Sequence, residues 1–197
     1  MIFYKITWYN YLVKKVMESV KKVLEECWDK NPEMHKPKHC VYQGKKLEEI
    51  NNLYFVKKKL NLSENEIIYM VVHGTTFPGL PGWKAGGFAI TNFGLHFDTH
   101  KDGFFSSLLM FPQGPKGFIN FEDLKSIQIG EHDRCYGTSY NGHNLVINGE
   151  EYGLIRMAKA IEYDEPLIKY CNQLFTKLVG VCLDSPPDII KFPGTII

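Results

Sequence analysis

Apolar residues recur at steps of three and four near the start of the chain. Leu12, Val16, Val20, Val23 and Cys27 form one stripe, widened by Val13, Met17 and Leu24. That spacing predicts an amphipathic helix over 9–28, with Asn10 as its N-cap. Pro32, Pro37 and Gly44 predict a loop over 29–44. A second helix is predicted over 46–60, with Leu47, Ile50, Leu53, Tyr54 and Leu60 facing inward. Lys57, Lys58 and Lys59 at its end complement the negative pole of the helix dipole.

The period changes after Ser63. Ile67 to His73 is a β-branched apolar run that predicts a strand, followed by a turn-rich stretch from Gly74 to Gly87. Phe88 to Thr91 and Leu95 to Asp98 flank Asn92-Phe93-Gly94, a hairpin in which the glycine is expected to take a positive φ. Further strands are predicted at Ser106 to Phe111, Gly117 to Asn120, Ser126 to Gly130, Leu145 to Ile147 and Tyr152 to Arg156. Phe121 to Leu124 reads as one helical turn, Glu131 to His143 as a polar loop, and Asn148-Gly149-Glu150-Glu151 as a hairpin turn. The last element is a helix with Asp164 as N-cap, Pro166 in its first turn, a stripe through Leu167, Cys171, Leu174 and Leu178, and Gly180 as its stop.

This order predicts an α+β chain. A small antiparallel β-barrel of about seven strands is capped by a C-terminal helix and preceded by an N-terminal helical segment. The expected divisions are a basic helical segment over 1–61, the barrel with its helix over 62–181, and an extended tail over 182–197. Particular strings sharpen the picture. Glu66-Ile67-Ile68 precedes Gly87-Phe88-Ala89-Ile90-Thr91-Asn92-Phe93-Gly94-Leu95-His96-Phe97, and Ile119-Asn120-Phe121-Glu122-Asp123-Leu124 leads into another strand. Over about residues 62–180 the chain resembles bacterial pleckstrin-homology-like domains, which carry an E-x-I first strand, a G-F-A-x-T-x-x-G-L-x-F hairpin and an I-x-F/Y-E-D-L step. The resemblance implies a binding scaffold and brings no catalytic residue with it. Phosphoinositide-binding members place several Lys or Arg around the first two strands, whereas Gly74 to Gly87 offers only Lys84.

Charge divides the chain. Residues 1–61 hold 13 lysines against 7 acids, and residues 62–197 hold 10 basic against 15 acidic side chains. The basic part therefore fits docking onto the acidic part, or contact with an anionic membrane or nucleic acid through Lys14, Lys15, Lys57, Lys58 and Lys59. Five dispersed cysteines without a CxxC pattern read as reduced thiols, and no secretory signal or membrane span is evident, so a cytoplasmic location is expected.

His35, His39 and Cys40 cluster, but Pro37 breaks the helix that would align them. His96 and His100 with Asp98, and Cys135 with His132, offer a second metal arrangement and a thiol–histidine pair, yet neither reaches a known pattern. Glu122-Asp123 and Glu150-Glu151 sit in turns. No catalytic residue, metal ligand or cofactor is assigned. Phe77, Leu80 and Trp83 in one loop, with Phe104 and Phe105 at another tip, would form an apolar patch for a partner protein. The leading expectation is a non-enzymatic protein-binding module. The alternatives are peripheral binding to an anionic membrane or nucleic acid, and an enzyme or metal-binding protein of unfamiliar type.

Overall fold

The structure, a computed structural model, describes residues 2–36, 40–48, 56–58, 60–73, 87–100, 113–134, 141–155 and 164–183. For 2–14, 73, 100, 113, 131–134, 141, 142 and 164 it describes the backbone alone. The chain is α+β, with helices at both ends and antiparallel strands between. Helix α1 spans Ile2–Asp29 and α2 spans Lys45–Glu48. The strands are β1 Val41–Gln43, β2 Ile68–His73, β3 Gly87–Thr91, β4 Gly94–His100, β5 Gln113–Asn120, β6 Ile127–Arg134, β7 Asn141–Ile147 and β8 Glu150–Ile155. Helix α3 closes the described chain at Asp164–Leu183.

Two antiparallel sheets result. Strands β1 to β5 form a five-stranded meander, β6 to β8 a three-stranded one, and the two are joined where His100 of β4 meets Leu154 of β8. The expected closed barrel is not formed among the described residues. Strand β5 pairs only with β4, and the outer side of β6 is taken by α3 instead of by a further strand. Asn172 of α3 does this directly. Its Oδ1 accepts from the Ile129 amide at 2.8 Å, and its Nδ2 donates to the Ile129 carbonyl at 3.0 Å. One carboxamide thus supplies both backbone partners that a neighbouring strand would have provided.

The apolar stripe of α1 reaches the main core through Val16, Val20, Leu24 and Cys27. There it meets Met70 and Val72 of β2, Phe88 and Ile90 of β3, and Leu174, Phe175 and Leu178 of α3. The Phe88 and Phe175 rings lie 5.3 Å apart at 53°, a tilted pairing that suits their quadrupoles. A second cluster lies on the other face of the sheet and joins Val56, Leu60, Ile68, Val71 and Ala89. A bulge between Ile68 and Met70 lets Ile68 and Val71 share that face despite their odd separation. Covering on both faces explains why β2 and β3 read as unbroken apolar runs instead of alternating ones.

Several boundaries differ from expectation for identifiable reasons. Helix α1 begins at Ile2, and Asn10 lies inside it, because no glycine or proline interrupts the chain before Pro32. Its C-terminal carbonyls are capped from beyond the helix: Asn31 Nδ2 donates to Cys27 O at 2.8 Å, and His35 Nε2 donates to Trp28 O at 3.1 Å. The stretch expected as loop contains β1, which pairs Val41 to Gln43 with Val72 to Met70; three residues are too few to show a period. Strand β6 runs on to Arg134 and β7 starts at Asn141, inside the predicted polar loop. Helix α3 passes Gly180 and ends at Leu183. Of the predicted second helix, 46–48 and 56–58 are helical, Leu60 is a buried turn residue, and 49–55 and 59 lie outside the described residues, as do the predicted strand at Ser106 to Phe111 and the tail from Asp184.

Candidate functional site

Among the described residues, two places gather polar side chains. The first is a buried knot where β2 begins. Ser63-x-x-Glu66 forms a capping-box turn in which Glu66 Oε2 accepts from the Ser63 amide at 3.1 Å and the Glu66 amide donates to Ser63 O at 3.1 Å. Glu66 Oε1 accepts from Thr91 Oγ1 at 2.6 Å and from His96 Nε2. Thr91 Oγ1 in turn accepts from the Phe93 amide at 3.2 Å and the Gly94 amide at 3.4 Å, which folds the β3–β4 turn. Asn92 completes the tie, its Oδ1 accepting from the Ile67 amide at 2.9 Å. The His96 ring rests on Phe118, centroids 4.4 Å apart.

Burial pushes the Glu66 carboxyl up, but the bonds from His96 and Thr91, the His96 charge and the Ser63 amide outweigh it and hold the group below its ordinary value. The carboxylate is consumed by these donors, and the Thr91 proton is spent on it. The knot is therefore a clamp between the start of β2 and the β3–β4 hairpin. Asp98, next but one to His96 on β4, is also buried and meets Lys116 of β5 at 3.7 Å, directly across the ladder.

The second place is a cleft of about 700 Å³ between α1 and the edge of the five-stranded sheet. Strand β1 ends at Gln43, opposite Met70, so Ile68 and Tyr69 extend past its last pair and line the opening. Leu24 and Trp28 of α1, with Leu47 of α2, supply the other apolar surfaces. Gly44 makes the turn from β1 into α2 with φ +53°, a left-handed backbone that suits glycine. It thereby brings Gln43 and Lys45 to the same cleft.

The lining side chains are fixed by contacts among themselves and with the backbone. Trp28 stacks on His35, centroids 4.2 Å apart and 17° from parallel. The buried Lys46 ammonium donates to Met34 O at 3.1 Å and Lys36 O at 2.9 Å and lies 5.4 Å from the Tyr42 ring centroid. Gln43 is 4% exposed, and its Oε1 accepts from the Tyr170 hydroxyl at 3.4 Å. Its Nε2 has no hydrogen-bond partner among the described residues, yet the side chain borders the cleft. On the rim Lys21 and Glu25 pair at 3.7 Å, whereas Lys45 and Asp29 have no ion-pair partner among the described residues. A volume of this size, apolar on its walls and carrying a few convergent polar groups, has the make-up of a ligand or peptide site.

The residues singled out from sequence fall elsewhere. Phe77, Leu80, Trp83, Phe104, Phe105, His39, Cys135 and Lys59 lie outside the described residues, as do the side chains of Lys14, His100 and His132. Lys15 is exposed on α1, Lys58 is exposed and Lys57 half-buried in the helical turn at 56–58. His35 serves the end of α1, and His96 serves the Glu66 knot. No group of three or more His, Cys, Asp or Glu that could hold a metal ion is found among the described residues. The thiols of Cys27, Cys40, Cys171 and Cys182 are buried; burial raises Cys182 to about 12 and Cys171 further, which keeps both protonated and inert. Among the described residues no helix is long and apolar enough to cross a membrane.

Sequence reasoning missed the cleft. Trp28 reads as the last residue of the predicted helix over 9–28, Gln43 as loop, and Lys45 as the residue between that loop and the second helix. The available signal was Gly44, a turn residue flanked by two long polar side chains, but the partner wall at Ile68 and Tyr69 lies 24 residues or more away and is brought there only by the β1–β2 pairing. Comparison of the chain with protein-family models, with curated proteins and with solved structures found no match.

Proposed function

We propose that this protein is a non-enzymatic binding module that takes an apolar segment of a partner protein into the cleft between α1, β1 and β2. The cleft carries the reading: it combines about 700 Å³ of space with Leu24, Trp28, Ile68 and Tyr69 on its walls, beside the start of β2, which extends past its last pair with β1. An extended segment laid there meets both the apolar walls and the strand edge, the combination used in strand addition. A pleckstrin-homology-like architecture is part of the proposal. Seven strands, β2 to β8, followed by α3, are the element order that the resemblance implies, and the knot of Glu66, Thr91 and His96 gives the E-x-I and hairpin motifs a shared structural reason.

Site-specific photo-crosslinking tests the reading. A benzoylphenylalanine placed at Lys45, on the rim, is compared with one at Lys125, exposed between the 3-10 turn at Phe121–Asp123 and β6. The expected result is one discrete protein adduct from position 45 and none from 125, with the purified partner binding at least about tenfold more weakly to Tyr69→Ala. Equal labelling from both positions, or unchanged affinity on Tyr69→Ala, overturns it.

A further inference from the structure

The floor of the cleft is chemically specific. Gln43 is 96% removed from solvent by its 4% exposure, yet only one end of its carboxamide is satisfied, by Tyr170. Its Nε2 is not one of the solvent-sealed polar atoms that lack a partner, so this donor keeps access to solvent at the cleft that the side chain lines. Such a donor beside a cavity marks a place where a ligand acceptor completes the bond. Two residues along, across Gly44, Lys45 brings an ammonium with no ion-pair partner among the described residues to the same cleft. Lys46, also on the cleft, keeps its ammonium on the Met34 and Lys36 carbonyls and adds positive potential there. Trp28, stacked on His35, and Tyr69 line the same cleft with aromatic side chains.

From this arrangement we infer that the cleft recognises a carboxylate carried next to an aromatic or aliphatic group. One carboxylate oxygen accepts from Gln43 Nε2 and the charge is met by Lys45, while the apolar part lies against Trp28, Tyr69 and Ile68. Asp29 on the rim is the one unpaired opposing charge there among the described residues; it disfavours an anion and sets the affinity lower than the cations alone would. The inference rests on the reading of the cleft as the binding site and names the chemistry of its occupant. The carboxylate can come from a chain terminus or from an acidic side chain.

The test uses the full chain labelled with ¹⁵N. Three probes are titrated: 3-phenylpropionate, its neutral amide, and 3-phenylpropanol. The side-chain NH₂ resonances of Gln43 are followed beside the Trp28 indole N–H. Expected is a shift at both with the carboxylate and an affinity about tenfold above that of the amide. Lys45→Gln, an exposed change that leaves the fold intact, should remove most of that preference. Gln43→Met should remove it as well, and Asp29→Asn should tighten carboxylate binding about twofold to fivefold. Two acetylated peptides then separate the sources: one ends in phenylalanine with a free terminal carboxylate, the other is aspartyl-phenylalanine amide. Equal affinity of amide and carboxylate overturns the inference but leaves the cleft as a binding site. Absence of any shift at Gln43 also overturns it. Probe binding combined with a failed crosslink would uphold the carboxylate site and sink the protein-partner reading.

Discussion

At the scale of single residues, the polar groups that looked most like chemistry hold the backbone together. Glu66 is the centre. Its pKa in the folded chain lies below the ordinary value of 4.5, so the stability it contributes is complete above that value and is lost as pH falls through the lower folded one. Glu66→Gln should therefore cost about 2–3 kcal/mol at neutral pH, the range for bonds to a buried charge. The difference from the parent chain should shrink in urea titrations as pH falls below 4.5. A gap that stayed constant with pH would refute this account. Thr91→Val keeps the shape but removes a donor to Glu66 and an acceptor for two amides, and should cost about 1–3 kcal/mol by the same assay. Gly94 illustrates a correct residue read for the wrong reason. Its φ is not left-handed; the position excludes a side chain because a Cβ would fall on the Ile119 carbonyl of β5. By contrast the Asn148-Gly149 turn is as expected, with φ +54° and +84°.

At the scale of elements, what was legible had a period or a turn signal, and what was missed depended on pairing. The stripe of α1, the stripe of α3 and the hairpins at Gly94 and Gly149 are local patterns and appear where the sequence places them. Strand β1 has three residues and exists only because β2 lies beside it. The outer halves of β6 and β7 look polar, and are strands because they pair with each other, Asp133 with Gly142 and Arg134 with Asn141. The cleft inherits this opacity, since its walls come from α1, β1 and β2. Asn172 belongs to the same class: on sequence it is a polar residue on a helix, and in the fold it completes the edge of β6. Asn172→Ala should remove both bonds, lower stability by about 1–3 kcal/mol, and speed hydrogen exchange at the Ile129 amide well beyond that at Ile90. Unchanged protection at Ile129 would mean that something other than α3 guards that edge.

At the scale of the whole molecule, the charge contrast suggested two parts, and the packing adds a condition on how they behave. Val16, Val20, Leu24 and Cys27 of α1 lie in the same core cluster as Met70, Phe88, Leu145 and Phe175. A surface shared in this way makes the helix part of the cooperative unit, because exposing it would uncover the strands and α3 at once. Val20 is fully buried in that surface, and Val20→Ala deletes about two methylene equivalents, worth about 2 kcal/mol with the cavity left behind. In a cooperative unit that loss is felt everywhere. The slowest-exchanging amides of β3, such as Ala89, should then lose protection by the same free energy as the amides of α1 between Val20 and Leu24. The binding cleft follows the same logic, since one of its walls is α1: its affinity for any occupant should fall with the helix and not independently of it. If Val20→Ala instead lowered protection in α1 alone and left Ala89 unchanged, α1 would be a docked appendage with its own opening equilibrium. The cleft would then be a surface that opens and closes as the helix comes and goes.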